Sequence, residues 1–165
     1  MPRRVPNLSG SRLCPATPKR PAIICIDARQ RLVRRVWQGG GVPAGRVDLR
    51  YDAAGLLVLQ DSFADAAGSQ LVTRSSFERD ALGRVRSIEH RDGASQLLAD
   101  YHYAYDDRGQ TLQEQYGNET TDLRYDATGQ LTNLLSSARG AENFRYDLNG
   151  TRTGNGYVVG TNNQI

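Results

Sequence analysis

The acidic side chains of this 165-residue chain are the first candidates for catalytic chemistry, because paired carboxylates can divide the roles of general acid and general base. Two pairs stand close in the sequence, namely Asp106 beside Asp107 and Glu89 three residues before Asp92. Asp106 begins the segment DDRG and Asp92 lies in RDG (91–93), and aspartate followed closely by glycine is typical of a chain reversal. We therefore interpret both pairs as turn residues.

Histidine and cysteine are too few and too widely spaced to build a metal or thiol site. His90 and His102 lack the spacing of a zinc-binding pair, and we expect both to be ordinary strand residues. The chain has two cysteines, Cys14 and Cys25, which excludes a disulfide framework and a cysteine-only metal site. Because Cys25 lies in the apolar run IICI, we expect it to be a buried free thiol.

Two further motifs carry no chemistry. The glycines of GGG (39–41) lack the lysine and following helix of a phosphate-binding loop, and we expect a flexible linker there. Asn7, Asn118 and Asn149 begin Asn-x-Ser/Thr sequences, a pattern that is common by chance, and we assign them no function. With no nucleophile, base and orienting group to assemble, the sequence predicts no catalytic, cofactor-binding or metal-binding residues and no enzymatic activity.

The recurrent feature of the sequence is an Asp-x-x-Gly motif that usually follows a tyrosine. Successive aspartates of its five copies are 28, 26, 20 and 21 residues apart, so one repeat holds about two short strands and two turns. A candidate sixth, degenerate copy is IDARQRL (26–32), with Gln30 in place of glycine. The five copies are YDAAGLL (51–57), RDALGRV (79–85), YDDRGQT (105–111), YDATGQL (125–131) and YDLNGTR (146–152).

The spacing within the motif predicts a hairpin turn. In a type I turn, the first-position aspartate can accept a hydrogen bond from the backbone two residues on, and the fourth position needs a left-handed conformation that glycine adopts without steric cost. Between two strands this gives a three-residue loop with a glycine bulge. The predicted turn residues are Asp52 and Gly55, Asp80 and Gly83, Asp106 and Gly109, Asp126 and Gly129, and Asp147 and Gly150.

The segments that flank these turns alternate apolar or aromatic residues with polar ones, which predicts β-strands. Thr111, with Leu112 one place late, indicates a local bulge or register change. A row of tyrosines could stack on sugar rings or bases, but the apolar strand face favours packing residues whose hydroxyls bond the backbone near the turn. The tyrosines of the motif are Tyr51, Tyr105, Tyr125 and Tyr146.

Charge is distributed unevenly along the chain. Residues 1–50 hold 11 basic and 2 acidic groups, a net +9, whereas residues 51–165 hold 10 basic and 16 acidic groups, a net −6. Five prolines and no periodicity before residue 22 predict a disordered basic leader, and the alternative is an arm that binds nucleic acid or another anionic surface. No apolar run is long enough to span a bilayer, and no signal peptide is present. The leader's basic residues are Arg3, Arg4, Arg12, Lys19 and Arg20.

With these residues identified, the chain resembles the YD-repeat family, also called the Rhs (rearrangement hotspot) repeat family. The most specific copy is FRYDLNGTRT (144–153), which is close to the Y-D-x-N-G-N-R-T form of that family, with Thr151 where asparagine is usual. The resemblance covers roughly residues 47–165. It implies a β-sheet that winds into a hollow shell, encapsulation of a polypeptide cargo such as a C-terminal toxin, or a role in cell-to-cell contact.

The sequence and the resemblance together predict an all-β fold of antiparallel hairpin repeats in a curved, spiralling sheet. We expect a basic leader at 1–21, a degenerate repeat and glycine-rich linker at 22–46, and YD repeats at 47–165. The family's Asp-Pro-x-Gly-Leu type core motif is absent, so we expect a segment of a larger protein that is secreted or displayed on the cell surface. Its expected partners are the rest of the shell and its cargo. The alternative is a glycan-binding module that uses exposed tyrosines.

Overall fold

The protein is described by a computed structural model, which places residues 22–39 and 41–153. Among these residues there are β-strands and turns and no helix, so none of them forms a helix that could cross a membrane. The predicted all-β fold of antiparallel hairpins is confirmed. The strands are β1 (Ala22–Ile26), β2 (Leu32–Gly39), β3 (Val42–Tyr51), β4 (Leu57–Phe63), β5 (Leu71–Arg79), β6 (Val85–Asp92), β7 (Leu97–Tyr105), β8 (Thr111–Tyr116), β9 (Glu119–Tyr125), β10 (Leu131–Ser136), β11 (Gly140–Asn143), β12 (Arg145–Tyr146) and β13 (Arg152–Thr153).

Strands β1 to β11 form one antiparallel sheet in which each strand is hydrogen-bonded to the strands before and after it in the chain. Strands β12 and β13 pair separately. The chain divides into two compact units, which are described one at a time below. The N-terminal unit holds the described residues up to Glu78 together with Glu89–Leu98, and the C-terminal unit holds Arg79–Ile88 and the described residues from Ala99 onward.

The glycines of GGG (39–41) do not separate two domains. Gly39 ends β2 and Gly41 precedes β3, and these two strands pair antiparallel from Arg34 opposite Asp48 to Gly39 opposite Val42. The expected flexible linker is therefore replaced by a hairpin connection within the sheet. Gly40 and the leader at 1–21 lie outside the described residues.

A bulge recurs at one place in the hairpins. In β2, β4, β8 and β10, the register with the preceding strand shifts just after the turn, and the returning strand carries one extra residue. The bulge that Thr111 and Leu112 indicated is thus one instance of a regular feature, which increases strand twist beside each turn. The extra residues are Val33, Val58, Leu112 and Thr132.

Few apolar side chains of the described strands are fully buried. Among the described residues, the buried apolar residues are Cys25 and Val36. The buried polar residues are more numerous: Asp61, Ser75, Ser87 and Ser136. A sheet usually buries one face against a second layer. We therefore expect backbone pairing and polar contacts between neighbouring hairpins to contribute an unusually large share of the stability of each unit.

Candidate functional site

The Asp-x-x-Gly turns are built to one pattern. In each, the amide of the residue three places after the aspartate donates to the aspartate carbonyl, and the aspartate amide donates to the carbonyl four places on, at 2.9–3.1 Å. Gly55, Gly83, Gly109, Gly129 and Gly150 hold the left-handed position with φ between 80° and 91°. The first aspartates of these turns are Asp27, Asp52, Asp80, Asp92, Asp106, Asp126 and Asp147.

Two of these seven turns lack glycine at the left-handed position. Gln30 takes the left-handed position after Asp27 with φ 59°, and Ser95 takes it after Asp92 with φ 67°. The degenerate copy at 26–32 therefore forms the same turn as the five full copies. The reversal expected near RDG (91–93) also has this geometry, but the missing glycine hid it from sequence comparison. A sequence pattern that requires the aspartate and its distance to the next strand, but not the glycine, would have identified both turns.

Each turn carboxylate is bonded by the backbone of its own turn. Oδ1 of every one of the seven aspartates accepts the amide four residues on, at 2.8–3.0 Å. The pKa of Asp126 is lowered because the Thr128 hydroxyl and the Gln130 amide donate to its carboxylate. Of the two sequence pairs, Asp106 accepts amides of its own turn, while Glu89 forms an ion pair with Arg91 at 3.0 Å. Asp106 thus serves its turn as expected, but the interpretation of Glu89 as a turn residue was wrong, because Glu89 lies within β6.

Each motif tyrosine bonds the repeat before it. The hydroxyls donate to backbone carbonyls at 2.7–2.9 Å, and every acceptor is the fifth residue after the turn aspartate of an earlier repeat, which for Tyr105 is Asp80. The tyrosine of one repeat thus anchors the first residue of the returning strand of another, which is a half-buried packing position and not an apolar core. The donor–acceptor pairs are Tyr51 to Leu32, Tyr105 to Val85, Tyr125 to Thr111 and Tyr146 to Leu131.

Side chains also join a turn to the turn of a later repeat. The guanidinium of Arg108 donates to the Ala127 carbonyl at 3.0 Å, and Gln110 Nε2 donates to the Gly129 carbonyl at 3.0 Å. In the same two positions of other turns, Arg29 donates to the Ala53 carbonyl and Arg84 to the Asp106 carbonyl, each at 3.0 Å. Sequence reasoning missed these positions, although arginine or glutamine recurs two and four residues after the aspartate.

Tyr125→Phe should lower the free energy of unfolding by about 1 kcal/mol, because the Thr111 carbonyl loses its hydroxyl donor while the ring stays in place. Urea denaturation followed by circular dichroism measures this change. Tyr116→Phe is the matched control: this tyrosine is 52% exposed, and its substitution should change stability by less than about 0.5 kcal/mol. Equal effects of the two substitutions would contradict a stabilising role for the hydroxyl bond.

The N-terminal unit carries a charged ladder across β2 to β5. Arg34, Asp48, Asp61 and Arg74 occupy successive paired positions. Arg34 Nε lies 2.7 Å from Asp48 Oδ1, and Arg74 Nε lies 2.7 Å from Asp61 Oδ1, with Asp61 only 2% exposed. Burial raises the pKa of Asp48, but hydrogen bonds and charge from Arg46 and Arg34 outweigh burial and lower that pKa to about 2. The ladder ion pairs join β2 to β3 and β4 to β5. Between β3 and β4 the register places the carboxylates of Asp48 and Asp61 opposite each other, and Arg50 of β3 pairs with Asp61 at 3.3 Å.

The histidines and Cys25 have ordinary structural surroundings. The Ser75 hydroxyl lies 2.8 Å from His90 Nδ1, and His102 Nε2 lies 3.4 Å from an Asp100 oxygen. No group of three or more potential metal ligands is found among the described residues. The expectation of a free thiol was wrong, since Cys25 is disulfide-bonded and 1% exposed. An apolar neighbourhood predicts burial of a cysteine equally well in either redox state. Cys14 lies outside the described residues.

Comparisons with known proteins found similarity in solved structures. No family model matches the chain, and no curated protein matches it. The Tc holotoxin pore of Photorhabdus luminescens, in a form with mutated TccC3, matches with 17% identity and a TM-score of 0.44 over 80% of this chain and 9% of that chain. A crystal structure of TcdB2–TccC3–Cdc42 matches with 17% identity and a TM-score of 0.45 over the same shares. The chain thus spans about a tenth of these proteins, which contain Rhs/YD-repeat shells.

Proposed function

We propose that this chain is a non-catalytic structural segment of a larger YD-repeat protein. The observation that carries the proposal is the set of tyrosine hydroxyl bonds between repeats, each made to the fifth residue after the turn aspartate of an earlier repeat. Such bonds stabilise an array in which Cys25 and Val36 are the buried apolar residues among those described. Repeat units of this kind gain most of their stability from contacts with neighbouring repeats.

In this proposal the motif residues have two structural roles. The aspartates and glycines, Asp52 with Gly55 through Asp147 with Gly150, set the hairpin reversals, and the tyrosines join consecutive repeats. The carboxylates are occupied by turn amides, which supports a role without acid–base catalysis. We assign no cofactor.

The resemblance to Rhs proteins extends the proposal to partners and location. The chain would form part of the wall of a shell, and its partners would be the rest of that shell and an enclosed polypeptide such as a C-terminal toxin. The parent protein would be secreted or displayed at the cell surface. The disulfide at Cys25 supports an oxidising location, where disulfides persist.

The glycan-binding alternative is less well supported. It relied on Tyr125 and Tyr146 as exposed stacking residues, but both rings are half-buried and both hydroxyls already donate to backbone carbonyls. A sugar would have to compete with these bonds. Binding of anionic polymers by the basic leader concerns residues outside the described range.

Limited proteolysis of the full-length parent protein tests the proposed function. A shell built from these repeats should survive as a resistant core, and an enclosed cargo should be protected until the shell is unfolded by urea. Cleavage of the repeats and the remaining parts of the protein at the same rate would overturn the proposal. A parent carrying Tyr105→Phe, Tyr125→Phe and Tyr146→Phe together should lose protection at lower urea concentration.

A further inference from the structure

One face of strands β7 to β11 in the C-terminal unit combines tyrosines with glutamates. Side chains of directly paired residues in an antiparallel sheet point to the same side. The register pairs Tyr101 with Tyr116 and Tyr116 with Glu119, and it pairs Tyr103 with Glu114. Farther along the same face, Leu134 pairs with Glu142. We define this tyrosine face by Tyr101, Tyr103, Tyr116, Glu114, Glu119 and Glu142.

Two aromatic rings of this face are in direct contact. The rings of Tyr101 and Tyr116 stack with centroids 4.9 Å apart and planes at 19°, and Tyr116 is 52% exposed. Burial and the negative charge of Glu114 both raise the pKa of Tyr103, and the same two causes raise the pKa of Tyr125. The Glu114 carboxylate therefore lies close enough to both rings to act on them electrostatically.

The acidic groups on the two faces of these strands differ in their partners. Glu114, Glu119 and Glu142 are exposed, and within the described part of the chain their carboxylates make no hydrogen bond or ion pair. On the opposite face, Asp100 pairs with His102 at 3.4 Å, and Asp122 accepts a hydrogen bond from Gln113 at 2.7 Å. The carboxylates of the opposite face thus each have a polar partner, whereas those of the tyrosine face have none among the described residues.

Basic residues of β7 to β11 avoid the tyrosine face. These strands contain two, His102 and Arg124, and the register places both on the face of Asp100 and Asp122. The tyrosine face therefore presents three carboxylates, of which Glu114 and Glu119 are paired with tyrosines, and no basic residue of these strands. Ring faces attract cations through their quadrupole, and nearby carboxylates add to that attraction.

We propose that the tyrosine face binds a cationic polypeptide segment whose arginine side chains lie over the tyrosine rings and pair with the glutamates. Arginine suits such a site better than lysine, because its planar guanidinium can stack on a ring and bond a carboxylate at the same time. The chain itself contains this arrangement: the Arg84 guanidinium lies 4.6 Å from the centroid of the Tyr105 ring and pairs with Asp80. The proposal goes beyond the scaffold role and does not depend on it.

Binding of a fluorescein-labelled hexa-arginine peptide to the whole chain at low salt, followed by fluorescence anisotropy, tests this inference. Glu114→Gln with Glu119→Gln should weaken binding about tenfold, because both removed charges lie on the tyrosine face. Asp100→Asn with Asp122→Asn is the matched control: it removes the same net charge from the other face and should weaken binding less than about twofold.

A third variant separates ring contacts from charge. Tyr116→Leu keeps the charge and should still weaken hexa-arginine binding about threefold, because the exposed ring of the stacked pair is lost. Circular dichroism must show that every variant keeps its strands. No binding by the unmodified chain, or equal weakening by the two double substitutions, would overturn the proposal. Such a failure would leave the scaffold proposal intact, because that proposal depends on the Tyr125 hydroxyl and on protease protection.

Discussion

Gly93→Ala is expected to lower the free energy of unfolding by about 3 kcal/mol, which is a large fraction of the stability of a small domain. A Cβ atom at Gly93 would lie 2.1 Å from the carbonyl oxygen of Leu71 and 3.1 Å from its carbonyl carbon. The obstacle is backbone of a paired strand, so relief of the clash requires a shift of β5 or of the Asp92 turn. Urea denaturation followed by circular dichroism measures the loss.

The conformational preferences of turn residues alone would predict that Gly93→Ala raises the free energy of unfolding. Gly93 does not need a left-handed conformation, and glycine-to-alanine changes at such positions usually stabilise by about 0.4–1 kcal/mol. Ala127→Gly is the control, since it makes the reverse change at the equivalent position of another turn and should have a small effect. A neutral or stabilising Gly93→Ala would contradict the close approach of the Leu71 carbonyl. The residues at the equivalent position of the six other turns all carry a side chain: Ala28, Ala53, Ala81, Asp107, Ala127 and Leu148.

Acidification should remove about 2 kcal/mol of stability through Asp48. Its native pKa of about 2 lies below the ordinary carboxyl value of 3.8, because Arg34 and Arg46 favour the ionised form. As the pH falls, the unfolded chain therefore takes up this proton before the folded chain does. The contribution is complete above pH 3.8 and is lost progressively as the pH falls through about 2.

Stability curves of the unmodified chain and of Asp48→Asn test this linkage. The chain should be more stable than Asp48→Asn by about 2 kcal/mol at pH 7, and the difference should vanish near pH 2. The control uses a background in which Arg34→Gln and Arg46→Gln remove both guanidinium groups. In that background, Asp48→Asn should cause little pH-dependent change. A stability difference that stays constant between pH 7 and pH 2 would contradict the ion-pair network.

The turns could be predicted because their determinants are local. An aspartate that accepts the amide two residues on and a left-handed residue three places later are contained within five residues, as Asp126 to Gln130 shows. The hairpin fold follows from these turns and from alternation in the flanking strands. The two turns without glycine at the left-handed position were harder to recognise, because Gln30 and Ser95 adopt a conformation that their residue types rarely take.

The disulfide state of Cys25 and the hairpin at Gly39–Val42 depended on contacts that the sequence pattern does not encode. A buried thiol and a buried disulfide have the same apolar neighbourhood, so composition could not separate them. Three adjacent glycines are equally compatible with a linker and with a tight connection. The pairing of Arg34 with Asp48 decided between these readings, because it places β2 and β3 in one sheet.

By itself, the sequence determined the all-β fold, the hairpin reversals at the Asp-x-x-Gly motifs and the tyrosine that precedes them. The tertiary structure alone decided which carbonyl each tyrosine hydroxyl bonds, which charges meet in the Arg34–Asp48–Asp61–Arg74 ladder, and which glutamates on the tyrosine face stay unpaired. The physical reason is the range of the interactions. A turn is specified by its own few residues, whereas cross-strand partners are set by strand register, and a shift of one residue would move every side chain to the opposite face.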